Sequence, residues 1–251
     1  MSDGAVYVYG VITAADAASL PDTGVEGSPV RAIIGEGELA ALVSDVAGGS
    51  LAAAREVRAH WRVLEKVSAN TTVLPVRFGT VMDGDDAVRE QLLAAGAERF
   101  TALLRELDGR VQVVVKGTYA EEDLLRGIVS SSPRLVALRD RLQQLPENAG
   151  YYERIRLGEL VAMEVDRTRE ADAAHALARL QPLAAAARAE GLGTPDAAFN
   201  FAFLVDRARL DDFSAAVTNL IAEFGDGITV RYVGPLAPYS FADAELTAGA
   251  V

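Results

Sequence analysis

Apolar and polar positions alternate, cluster and recur along this chain in a way that divides it into strands and helices. Ala5-Val6-Tyr7-Val8-Tyr9-Gly10-Val11-Ile12 is rich in β-branched and aromatic residues and continuously apolar, the pattern of a strand central in its sheet. Leu20 to Pro29, with its Pro, Gly, Asp and Ser, reads as a loop. Val30–Ile34 and Leu39–Ser44 follow as two short strands, with a hairpin turn at Gly35-Glu36-Gly37. The next pattern is helical: from about Leu51 to Ala69, capped by Ser50, the residues Val57, His60, Trp61, Leu64 and Val67 recur at the spacing of one helix face.

Thr72 to Phe78 reads as a strand, with Pro75 suited to an edge or a strand end because it lacks an N–H. A long helix is predicted from Asp85 to Leu107, burying Val88, Leu92, Phe100, Leu103, Leu104 and Leu107, and Asp108-Gly109 ends it before the strand Val111–Lys116. From Glu121 the pattern turns helical: two short helices, the second after Pro133, a break at Pro146–Gly150, and a helix from Tyr151 to Leu180. Pro182 stands where it can restart that helix, and Gly191 where it can stop it. Ala197–Val205 (strand), Asp211–Phe224 (helix) and Ile228–Val233 (strand) repeat the grammar of residues 72–118. The expected architecture is α+β: a ferredoxin-like N-terminal domain over 1–118, then 119–251 as a helical segment and a second α+β domain with long helices.

Charge narrows the function. Of 251 residues, 24 are Lys or Arg and 36 are Asp or Glu, a net charge of −12, with no basic run along the sequence, which speaks against a nucleic-acid partner. The longest stretch without a charged residue is the 12 residues from Gly4 to Ala15, too short to span a bilayer. The opening Met1-Ser2-Asp3-Gly4 lacks the cationic region of a secretory signal, so the expected location is cytoplasmic. With no cysteine, disulfides, thiolate zinc sites and cysteine nucleophiles are excluded.

The chemistry-bearing motifs are mostly missing. There is no phosphate-cradling G-x-x-x-x-G-K-[ST], no dinucleotide-binding G-x-G-x-x-G and no G-x-S-x-G nucleophile elbow. Glu56 and His60 share a helix face at a spacing compatible with a metal, but His60 also shares it with Val57, Leu64 and Val67, so a packed histidine bound to one polar neighbour is the expectation. His175, among alanines and acids, is expected at the surface. Asp83-Gly84-Asp85-Asp86 lacks the alternation and closing Glu of a calcium loop and reads as the acidic first turn of a helix, as does Glu121-Glu122-Asp123. No catalytic, cofactor or metal site is expected.

Two segments stand out as candidate partner-binding sites. Arg77, followed by Phe78, Gly79 and Thr80, is a cation in an otherwise apolar strand beside a glycine that permits a sharp exit. It either pins the sheet to a neighbouring helix or lines a surface for another protein. Gly234-Pro235-Leu236-Ala237-Pro238-Tyr239-Ser240-Phe241 is stiff, apolar and aromatic, so Pro238, Tyr239 and Phe241 either cover a sheet or form an exposed docking strand.

Taken together, Tyr7-Val8-Tyr9-Gly10-Val11, His60 with Val63-Leu64-Glu65, Thr72-Val73-Leu74-Pro75-Val76-Arg77-Phe78-Gly79-Thr80, Asn200-Phe201-Ala202-Phe203-Leu204-Val205 and Gly234-Pro235 with Pro238-Tyr239-Ser240-Phe241 resemble the gas vesicle protein F/L family. Leu236-Ala237 stands where family members often carry Trp-Pro. The resemblance implies a non-enzymatic, gas vesicle-associated assembly or minor structural protein. Its implied partners are the hydrophobic shell protein, whose aggregation it would limit during nucleation, and other gas vesicle accessory proteins. A small-molecule-binding regulatory module on the same scaffold is the alternative, by analogy of fold.

Overall fold

In a computed structural model, which describes residues 4–18, 20–47, 53–144 and 150–242, strand β1 (Ala5–Thr13) is flanked by partners on both sides. Its central place follows from composition, since Val6 to Ile12 lose all contact with solvent apart from the glycine's trace backbone. The strands β2 (Arg31–Ile34) and β3 (Leu39–Asp45) form a hairpin closed by Gly35 N–H to the Leu39 carbonyl at 3.0 Å, and β3 pairs antiparallel with β1 from Val6↔Asp45 to Thr13↔Leu39. On the other side of β1 lie the short strands β4 (Leu74–Pro75) and β5 (Val81–Asp83), in register Gly10↔Pro75 and Tyr7↔Val81.

The chain divides into two compact units, the first Met1–Val113, Leu204–Arg207 and Gly234–Val251, the second Val114–Phe203 and Ala208–Val233. Helix α1 (Ala54–Ser68) covers the first unit's sheet with Ala59, His60, Val63, Leu64 and Val67, while Trp61 and the half-buried Val57 lie outside that set. Ala53 precedes α1 without a side-chain cap, and Ser50 lies outside the described residues. The 72–78 strand contracts to Leu74–Pro75, because Val76 N–H turns to the Tyr9 carbonyl (2.9 Å) and the following residues enter a tight turn.

The helix expected over 85–107 is interrupted. A single turn α2 (Gly84–Ala87) widens into a π-helical stretch over Val88–Ala94, then α3 (Ala97–Leu107) restarts after Gly96. The wider pitch brings the adjacent Leu92 and Leu93 inward together, and the ring of Phe100 fills the space a side chain at Gly96 would need. Asp83 makes no capping bond. Instead Asp85 binds Arg31 at 2.6 Å, which holds its carboxyl below the usual range, and Asp86 binds Arg89 at 2.8 Å.

The second unit holds most of a four-stranded sheet in the order β7 (Ala186–Ala189), β8 (Ala197–Asp206), β6 (Arg110–Tyr119), β9 (Ile228–Leu236). Its helices are α4 (Glu121–Ser131), α5 (Pro133–Gln143), the 30-residue α6 (Tyr151–Leu180) and α7 (Leu210–Phe224). Phe199, Phe203 and Phe213 are its largest buried side chains, with the last two rings 5.2 Å apart. Pro182 sits in a single 3-10 turn that ends α6 rather than restarting it, and Ala186–Ala189 is an edge strand. Its Ala-rich composition favours a helix, and pairing with β8 overrides that preference. Of the break expected at 146–150, only Gly150 lies within the described residues.

Gly10 marks the tightest backbone approach in the first unit. A Cβ there would lie 2.6 Å from the Leu74 carbonyl oxygen, which is backbone and cannot rotate away. Gly10→Ala is expected to cost about 1–3 kcal/mol through a forced shift of β4. Urea unfolding checks this, and a loss below the detection limit would show that the strand pair gives way freely.

Candidate functional site

His60 sits at the centre of the first unit's aromatic cluster, fully buried, with Tyr7, Tyr9, Trp61, Phe78 and Tyr239 around it at ring-centroid distances of 5.5–6.4 Å. The two sequence segments singled out as candidates meet there: Phe78 comes from one and Tyr239 from the other, about 160 positions apart in the chain.

The polar atoms of this cluster form chains. Gly79 N–H donates to the Tyr7 hydroxyl (3.2 Å), whose oxygen lies 2.8 Å from His60 Nδ1, and His60 Nε2 lies 2.6 Å from the Tyr239 hydroxyl. Tyr7 is wholly buried, so its own proton has nowhere to go but Nδ1. This fixes the neutral tautomer protonated at Nε2, which then donates to the half-buried Tyr239. A second chain runs from Val25 N–H to the Tyr9 hydroxyl (2.7 Å), to Ser44 Oγ (2.9 Å), to the Pro29 carbonyl (2.8 Å). Burial drives the His60 pKa down from 6.5 to about 4 and pushes the phenols of Tyr7, Tyr9 and Tyr239 up. His60 therefore has two polar neighbours, where one was expected.

Glu56, 3% exposed, is held below the usual carboxylate range, first by Glu26 N–H (2.7 Å to Oε2) and then by Arg55 Nε (2.5 Å to Oε1). Both nitrogens of His60 are engaged, so His60 offers no lone pair to an ion shared with Glu56. Among the described residues no three His, Asp or Glu side chains converge as a metal site. His175 is at the surface, paired with Glu223 at 2.7 Å, and Arg179 also binds that carboxylate.

Arg77 to Thr80 is a β-turn: the Arg77 carbonyl accepts from Thr80 N–H (3.2 Å) and from Thr80 Oγ1 (2.8 Å), and Gly79 has φ +88°. Positive φ at the third position alone defines a type II turn, which demands glycine there. The Arg77 side chain is exposed and makes no ion pair or hydrogen bond among the described residues, so it does not pin the sheet to a helix. The tail covers rather than dangles. Ala237, Pro238 and Phe241 are buried, Ser240 N–H donates to the Gln112 side chain (2.8 Å), and Tyr239 shows at the surface beside Trp61, ring to ring at 4.7 Å.

Sequence reasoning missed the exposure of Trp61, 43% open, and the cations beside it. Arg58, Arg62 and Lys66 repeat every fourth residue along the exposed side of α1, a spacing that gathers charge on one face although no basic run exists in the linear sequence.

Helices set against antiparallel sheets define a protein of the α+β class. No described helix is long and apolar enough to cross a membrane. The family model described as gas vesicle synthesis protein GvpL/GvpF matches residues 5–243. The chain belongs to that family, and with it to the proteins associated with gas vesicles and their assembly. It is 34% identical to gas vesicle protein F of Streptomyces sp. (strain CB03234), over 94% of this chain and 99% of that one. Gas vesicle protein L of the same strain is also 34% identical, over 94% and 92%. The crystal structure of GvpF from Anabaena sp. PCC7120 superposes with a TM-score of 0.84 at 27% identity, over 96% of this chain and 98% of that one.

Proposed function

We propose that this protein binds the hydrophobic shell protein of gas vesicles and limits its aggregation while a vesicle nucleates, as a cytoplasmic, non-enzymatic assembly factor. The observation that carries the reading is membership of the gas vesicle synthesis family across nearly the whole chain. The physics supports it: a net charge of −12 keeps the protein dispersed, while single apolar side chains such as Ile34 on the edge strand β2 and Trp61 on α1 stand open to a client. Capture proceeds by strand addition or by a helix laid on an apolar face. The contact surface in this reading comprises the turn Arg77-Phe78-Gly79-Thr80 and the tail residues Pro238, Tyr239 and Phe241, the rings of Phe78 and Tyr239 both bordering His60.

Co-expression with the shell protein, followed by sedimentation and co-purification, tests this. The shell protein is expected to shift from the pellet to a soluble complex, and its continued pelleting alone would overturn the reading. Arg77→Ala is expected to leave thermal stability unchanged, since the exposed side chain makes no hydrogen bond or ion pair among the described residues, and to reduce shell protein recovered by about fivefold or more. Truncation before Gly234 is a poor probe, because it also removes Ala237 and Phe241 from the core and the Tyr239 hydroxyl from His60.

A further inference from the structure

Several arginines of this protein are neutralised within it: Arg31 by Asp45 and Asp85, Arg89 by Asp86, Arg167 by Glu164, Arg179 by Glu223. The exposed side of α1 gathers three cations without such a partner beside an open tryptophan. Arg58, Lys66 and, beyond the helix, Arg77 make no ion pair among the described residues, and Arg62 donates only to the Arg58 carbonyl (3.4 Å). Glu65 is the only exposed acid on the helix, and Arg55 is occupied by Glu56. Between Arg58 and Arg62 on the helix, Trp61 presents its ring, backed by Tyr239 at 4.7 Å. Unneutralised cations one helical turn apart repel one another, and a Trp–Tyr pair flanked by two arginines on the helix has the composition of an interface hot spot.

We propose that this face of α1 docks an acidic amphipathic helix of a partner protein. The inference rests on the reading of the chain as a binding protein of vesicle assembly and names the chemistry of the contact. Arg58 and Arg62 are one helical turn apart, so they match two carboxylates also one turn apart on the partner. Trp61 lies between them in sequence and takes the apolar side chain that separates those carboxylates. A nucleic acid carries the same sign of charge at every nucleotide, so the long-range field of a protein of net −12 repels it far more than a helix bearing a few carboxylates.

Trp61 is the only tryptophan of the chain, so its emission reports on this face alone. The full-length protein is titrated with a capped synthetic helix bearing Glu at positions i and i+4 around a Leu. The expected result is a blue shift of Trp61 emission, with affinity reduced about tenfold or more by high salt and by Arg58→Glu/Arg62→Glu, whose exposed positions leave the circular dichroism unchanged. No shift with the Glu peptide, or an equal shift with Lys in place of Glu, overturns the proposal. Binding of oligothymidine in preference to the peptide, or a shift on concentrating the protein alone, assigns the face to nucleic acid or to a second copy and overturns it equally. If wild-type protein solubilises the shell protein while Trp61 ignores the acidic helix, the assembly reading stands and this inference falls. If the peptide binds and the shell protein still pellets, the reverse holds.

Discussion

Replacing His60 with alanine is expected to lower stability by about 3–5 kcal/mol, a large share of what a domain of this size possesses. The loss has three sources. The imidazole leaves a cavity amid Tyr7, Tyr9 and Phe78, the Tyr7 hydroxyl proton loses its only acceptor, and the Tyr239 hydroxyl loses its tie to the sheet. Of these the buried Tyr7 hydroxyl matters more than Tyr239, which is half-exposed and can turn to water. Urea unfolding followed by Trp61 fluorescence reads the first unit directly, since the tryptophan adjoins His60. A loss under about 1 kcal/mol would mean the surrounding rings collapse into the space and rebuild their hydrogen bonds.

Acidification is expected to do gradually what that substitution does at once. In the folded protein His60 stays neutral down to about pH 4, whereas in the unfolded chain it takes up a proton near its ordinary 6.5. Between these values the unfolded state binds the extra proton, so stability is complete above about pH 7 and falls as pH drops towards 4. The maximum loss is about 3 kcal/mol from this residue. Glu56, held low by Glu26 N–H and Arg55, acts in the same direction, its stabilisation lost as pH falls below the ordinary carboxylate value. His60→Gln keeps a donor and an acceptor but cannot titrate, so its unfolding midpoint should vary less with pH between 7 and 4 than that of the wild type. Parallel pH profiles for the two proteins would remove His60 from the account.

The parts of this fold that were legible are those where local pattern and tertiary environment agree. Val6 to Ile12 is apolar without interruption and becomes the central strand; α6 spans Tyr151–Leu180 as the helical pattern required; the hairpin follows from Gly35-Glu36-Gly37. Where a neighbour dictates conformation, the pattern was silent. Ala186–Ala189 is a strand only because β8 offers a partner, and Leu92 and Leu93 both point inward only because the helix widens. At the candidate site, the segments that carry Phe78, His60 and Tyr239 are each distinctive in the sequence. Their meeting depends on long-range topology that no local spacing encodes. The cation stripe on α1 is encoded in the four-residue recurrence of Arg58, Arg62 and Lys66, which a contiguous charge run does not reveal.

The return of the tail to the first unit has a consequence for biosynthesis. Tyr239 completes the hydrogen-bond chain through His60, yet it is made 126 residues after Val113, where the first unit's continuous stretch ends. At about 5–20 residues per second, a ribosome takes about 6–25 s to cover that distance. For that interval the nascent N-terminal unit carries an open aromatic cleft lined by His60, Phe78 and Trp61. Translation itself thus sets the moment at which the cleft closes, since the N-terminal unit reaches its final form only once Tyr239 has left the exit tunnel.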